Sequence, residues 1–473
     1  MIAGVFLSAL ALVLAGFLRP RIPAEAEQSA PPGQPPFALV ALLCALLTAL
    51  FLVQLRAIEI TVVTQWPFPR AYAGLPLVPI DELPPFSLIP PWFSTTVLVL
   101  TLAETAVLFA LYRALLGRRL TLATGACIGI SCAVMLAAAL RTPAVTSGDV
   151  YLYVAYAHLG FSAYAPADVP FSGEFGVLNN MWGLPILPAA YGPLWIGFAR
   201  LSLLAGPTLG AQLAFFRIAG ALFFCACLWL VAVLRRDAAA VALFALNPAL
   251  LEQYVADSHN DLFGLALTLL AFLAVRRNTA AAIILVAAAG AAKLPYALIG
   301  SLAFVTLPAP ARRMLPAALA IGLGVGASEL FSGGHYLLSA AHVAKLYAYR
   351  DALTEAVRFA VAAVAVAAVA VALATRRLNR GASWSFMALG TELFPWYAAW
   401  GIPYALLEDS WFCVYLLSLP LVAFNVATYE PSVWTRSAYG LFQLAPLLPL
   451  AFLLRDRFAR REARNASRRT PGL

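Results

Sequence analysis

The chain has 473 residues, of which 63% are hydrophobic and 11% charged, against about 25% charged in an ordinary soluble domain. A water-soluble fold is thereby excluded. Apolar stretches of roughly 20 residues, each long enough to cross a hydrocarbon core of about 30 Å, recur from end to end. The formal net charge of +9 does not point to nucleic acid, because the arginines stand in short clusters between apolar runs and in the tail "RDRFARREARNASRR". That pattern is a topology signal. The expected fold class is all-α: a polytopic transmembrane helical bundle of about 12 to 14 helices, forming a single integral-membrane domain over residues 1–473.

Taken in chain order, "MIAGVFLSALALVLAGFL" lacks a basic start and is followed by Arg19 and Arg21, so it reads as an uncleaved first span rather than a signal peptide. Further spans are expected near 37–55, 95–113 and 121–140. Arginine pairs at 118/119, 235/236, 276/277, 312/313 and 376/377 mark cytoplasmic turns, as does the basic tail 455–473. The loops 60–94 and 141–190 are then extracytoplasmic. Rich in proline and aromatic residues, they suit interfacial helices with rings at headgroup depth. Residues 191–234 read as two helices broken at "AGPTLGA": either one of them is a partial or re-entrant span, or Arg235 and Arg236 stand outside. The stretch 238–275 makes one hairpin with the tip "DSHND", and 279–311 turns at "AAKLPY", where proline interrupts the helical ladder. Pro395 in "ELFPWYAAW" marks another outer turn. The six cysteines all lie in apolar segments without paired spacing, so they read as small core residues rather than a metal or disulfide framework.

Polar residues beside membrane spans are costly and tend to be functional. Those expected on the outer side are Asp149, His158, Glu174, Glu252, Asp257, His259, Asn260, Asp261, Lys293, His335, His342, Lys345, Arg350 and Glu392. Asp149 opens "DVYLYVAY", where Tyr153 and Tyr156 recur at helical spacing. It is either a general base for an acceptor hydroxyl or a helix cap. The "DSHND" tip carries more strong polar groups than a solvated turn needs; His259, Asn260, Asp261 and Asp257 are candidate contacts to sugar hydroxyls. Metal binding is not expected, since a good site wants more ligands than the tip supplies. Lys293 and Lys345 are the only lysines; with Arg350 they offer point charges for a lipid-linked phosphate, or they snorkel at the interface. Trp396, Tyr397 and Trp400 bring rings that either stack on a sugar or belong to the interfacial belt. No P-loop, GxSxG elbow or HExxH motif is present, and no cofactor is implied.

The succession "GDVYLYVAYAHLGFSAYAP", "AAYGPLW", "NPALLEQYVADSHNDLFGLAL", "AAAGAAKLPYAL" and "FPWYAAWGIPY" resembles the GT-C superfamily of integral-membrane glycosyltransferases. Within it, the resemblance is to bacterial polyprenyl-phosphate-mannose-dependent mannosyltransferases, over roughly residues 145–405. The resemblance implies a polyprenyl-phosphate-sugar donor, a glycan or glycolipid acceptor, and chemistry at the extracytoplasmic face of a bacterial inner membrane. It makes Asp149 the base of an inverting transfer, His259, Asn260 and Asp261 donor or acceptor contacts, and Lys293 a phosphate contact. No second acidic residue stands beside Asp149, which argues against a metal-bridged pair. A lipid-linked sugar flippase and a lipid-linked oligosaccharide polymerase or ligase are the alternatives. The first would place ionisable groups near mid-membrane between repeats, and no repeat is evident.

Overall fold

The structure is a computed structural model describing residues 37–65, 91–142, 144, 147–235, 237–348, 352–376, 395–408 and 418–419. The first span near 2–18, most of the 60–94 loop, Arg350, Glu392 and the basic tail lie outside the described residues. The described residues form no strand; their one isolated bridge joins Arg119 to Asp237.

Four helices are long and apolar enough to cross a membrane: Phe37–Ala57, Leu122–Arg141, Leu209–Arg235 and Pro310–Phe331. A fifth crossing arises if Ala238–Ala245 and Pro248–Ala256, bent by 47° at their junction, make one broken span. Several helix starts follow from local chemistry. Thr121, Asp237, Asn247 and Asn278 each accept a hydrogen bond from an amide two or three residues on, as short polar side chains do at helix N-termini. Pro248 then occupies a first-turn position, where its missing N–H costs nothing.

The anticipated break before residue 209 is present. Pro193–Arg200 continues as a tighter turn to Leu204, and a separate helix runs Leu209–Arg235. The twelve-residue first piece is too short to cross alone. The 279–311 stretch also folds as expected, into Thr279–Ala292, then Pro295–Gly300 and a tighter turn to Thr306.

Two apolar cores form. The larger packs the long helices together with 238–256, 261–275 and 396–406. The smaller is rich in aromatics and surrounds Asp149–Leu159, whose residues Val150 to Ala157 are all buried, with Trp195, Phe216 and Tyr336. Close helix approach depends on glycine: a Cβ at Gly220 would come within 2.3 Å of the Tyr254 carbonyl oxygen. This contact seats the wide π-type turn Glu252–Ala256 against the 209–235 helix. The polar loop 257–260 follows that turn, at the seam between the two cores.

Candidate active site

Asp149 is the first residue of its helix, but it does not cap it. Gly148 holds the cap position without a side-chain hydrogen bond, and the Asp149 amide donates to Ser147 Oγ at 3.1 Å. The carboxylate turns elsewhere: its Oδ2 accepts from the Tyr191 hydroxyl at 3.0 Å and lies 3.4 Å from His259 Nδ1. The capping alternative is therefore set aside.

The loop that supplies His259 is not a solvated hairpin tip. Asp257, Ser258, His259, Asn260 and Asp261 are all buried, and their backbone is held from both sides. The Asp257 amide donates to the Glu252 carbonyl and the His259 amide to the Gln253 carbonyl. Ser258 adopts a φ of 61°, a left-handed geometry uncommon outside glycine, which reverses the chain between the π-type turn and the helix Asp261–Ala274. The Asn260 amide donates to the Tyr153 hydroxyl at 3.3 Å, joining the loop to the Asp149 helix.

An ion pair stands beside this Asp149–His259 contact. Lys293 Nζ lies 2.8 Å from Asp261 Oδ1 and 3.5 Å from Asn260 Oδ1. The same Asp261 oxygen accepts from Trp400 Nε1 at 2.6 Å, while the Tyr296 hydroxyl donates to the Asp261 carbonyl oxygen. Aromatic faces line the pair: the Lys293 ammonium is 5.5 Å from the Tyr191 and Tyr397 ring centres and 5.2 Å from that of Trp400, within cation–π range. Tyr397 and Trp400 stack at 4.1 Å, and Trp396 stacks on His259 at 3.9 Å with an 18° interplanar angle. These rings are buried against the polar loop rather than displayed as an interfacial belt.

Burial alone would push the Asp149 carboxyl up. His259 beside it, the Tyr191 hydrogen bond and the nearby Lys293 charge more than offset this, leaving it below the ordinary carboxylate range. The result is an ionised carboxylate among buried neighbours. Burial and the Asp149 charge push the Tyr191 phenol well up, so it stays a proton donor to Asp149.

The other expected residues lie elsewhere. Asp257 is buried one step back along the loop. Glu252 lies deeper, accepting from Gln54 at 3.1 Å. His158 meets Gln212 at 3.0 Å, Glu174 is exposed, and His335 and His342 are exposed near and on the helix Tyr336–Ala348. Arg350 and Glu392, and the side chain of Lys345, are outside the described residues. Among the described residues, no group of three or more His, Cys, Asp or Glu is placed to hold a metal ion.

Tyr191 is the site residue that sequence reasoning did not single out. Its signal was the "YGP" turn: a Cβ on Gly192 would fall 2.1 Å from the Ala291 carbonyl oxygen, so glycine is required where this turn meets the end of the Thr279–Ala292 helix.

Residues 77–309 match the family described as alpha-(1->6)-mannopyranosyltransferase, N-terminal domain. That span contains Asp149, Tyr191, the 257–261 loop and Lys293. No curated protein and no solved structure matches the chain.

Proposed function

We propose that this chain, which through residues 77–309 belongs to a GT-C-like family of mannosyltransferases, moves a mannosyl group from a polyprenyl phosphate to a hydroxyl of a glycan or glycolipid. The reaction takes place at the extracytoplasmic face of a bacterial inner membrane. The observation that carries the reading is the Asp149 carboxylate, held ionised between Tyr191 and His259 beside a lysine faced by aromatic rings.

In the proposed reaction the acceptor oxygen attacks the anomeric carbon as the bond to the lipid phosphate breaks on the opposite face. The transition state is oxocarbenium-like and the configuration inverts. The leaving phosphate keeps the bonding electron pair, and Asp149 takes the acceptor proton. Lys293 has three N–H donors and gives its shortest described hydrogen bond to Asp261, so it has donor capacity for the leaving phosphate. His259, Asn260 and Asp261 order the loop against the sugar, and Trp396, Tyr397 and Trp400 offer faces to its C–H surface. Asp257 supports this loop, and Arg350 is assigned to the lipid phosphate on sequence grounds.

The test is transfer of radiolabel from polyprenyl-phosphate-mannose to a membrane glycolipid extract by the full-length protein in lipid. The wild type transfers label, and Asp149→Asn loses at least about 100-fold in turnover, the lower range for removing a general base. Equal turnover by both proteins refutes the role of Asp149.

A further inference from the structure

Tyr191 touches both Asp149, beside His259, and the Lys293 of the Asp261–Lys293 ion pair. Its hydroxyl donates to Asp149 Oδ2 at 3.0 Å, and its ring lies under the Lys293 ammonium at 5.5 Å. Its position is fixed by backbone. The Gly192 amide donates to the Ala292 carbonyl at 2.9 Å, so the turn bearing Tyr191 is tied to the residue immediately before Lys293. Two further rings fix its tilt: Tyr153 meets it edge-on at 5.3 Å and Tyr156 at 6.1 Å. Tyr156 is in turn anchored, its hydroxyl donating to the Leu187 carbonyl at 2.9 Å.

We infer that Tyr191 is a positioning residue for the transfer, its phenol aiming the Asp149 carboxylate and its ring holding the Lys293 ammonium in register with it. The inference rests on Asp149 being the base. Two features separate it from simple packing. A tyrosine needed only for its ring would place its hydroxyl on backbone or water, as Tyr156 and Tyr164 do with the carbonyls of Leu187 and Tyr191. Tyr191 instead donates to the Asp149 carboxylate, which lies against His259 while Lys293 pairs with Asp261. The pinning through Gly192 also means that this side chain directly links Asp149 and Lys293, 144 positions apart in the chain (293 minus 149).

The groups around Asp149 are Tyr153 and Tyr156 on its own helix, Tyr191 on the turn, His259 and Asp261 on the polar loop, and Lys293 after the Thr279–Ala292 helix. Removing the Tyr191 O–H withdraws one of the interactions that stabilise the carboxylate. Its protonation then extends to higher pH, and so does the acid limb of activity.

The experiment measures mannosyl transfer against pH for full-length wild type, Tyr191→Phe and Asp149→Asn in lipid. For Tyr191→Phe the acid limb of kcat moves up by about one pH unit, the scale of a hydrogen bond to a charged group. The kcat plateau falls by about tenfold, and KM for the polyprenyl-phosphate-mannose donor stays within about twofold. A second variant carrying 3,5-difluorotyrosine at position 191 keeps the ring and strengthens the donor; its acid limb moves the opposite way. Wild-type pH profiles for both Tyr191 variants, with Asp149→Asn reduced at least about 100-fold, overturn the inference and leave the role of Asp149 standing. Turnover by Asp149→Asn equal to wild type overturns both.

Discussion

At the residue scale, the site is the half-buried Asp149–His259 contact and the buried Asp261–Lys293 ion pair, sharing one aromatic lining. The Asp261–Lys293 pair is the more deeply enclosed, with the Asp261 side chain fully buried and that of Lys293 13% exposed. Breaking such a pair from one side strands a charge away from water, at a cost of about 3 kcal/mol or more. Lys293→Met is therefore expected to lower the thermal midpoint of the protein in detergent markedly. Adding Asp261→Asn should restore part of the loss, because the amide still accepts from Trp400 Nε1 without carrying a charge. A double variant no more stable than Lys293→Met removes the ion pair as the cause. The individual candidates were legible in the sequence because strong polar residues beside apolar runs are rare. Tyr191 was not, because a tyrosine among many tyrosines carries no signal until its hydroxyl is seen on Asp149.

At the scale of elements, helix starts and breaks were largely readable. Thr121, Asp237, Asn247 and Asn278 stand directly before apolar runs and cap them, and the breaks around 205–208 and at Lys293–Leu294 follow glycine and proline. The π-type turn at Glu252–Ala256 was not readable. Its extra residue per turn answers to packing against the 209–235 helix rather than to any local preference. Gly220 is where that packing is tightest, and Gly220→Ala is expected to destabilise by about 1 to 3 kcal/mol, the usual cost of overpacking. Because the turn carries the loop with His259, the same variant should also lower kcat for mannosyl transfer. A thermal midpoint and kcat both equal to wild type would mean that the turn tolerates displacement.

At the scale of the whole molecule, composition alone required a membrane bundle, and four long apolar helices among the described residues agree with it. In the topology proposed from the arginine pattern, the loop that follows Asp149 lies outside and the Arg276/Arg277 turn inside. In a variant with Cys225, exposed on the 209–235 helix, replaced by alanine, a cysteine at Ser172 should react with an impermeant thiol reagent on intact cells. One at Arg277 should react only after permeabilisation. Both positions are exposed, so labelling of the two from one side would invert or break the proposed topology and the extracytoplasmic placement of the site with it.

By itself, then, the sequence determined the membrane class, the helical content, most helix starts and the candidate polar residues, since each depends on composition or on neighbours a few positions apart. Only the tertiary structure decided that Asp149 is not a cap, that the polar tip is buried, and that Tyr191 links Asp149 to Lys293. Those facts rest on contacts between residues 42, 107 and 139 positions apart in the chain. No local preference encodes such contacts: a polar side chain withdrawn from water must find its partner wherever the packing of the two cores brings one within reach.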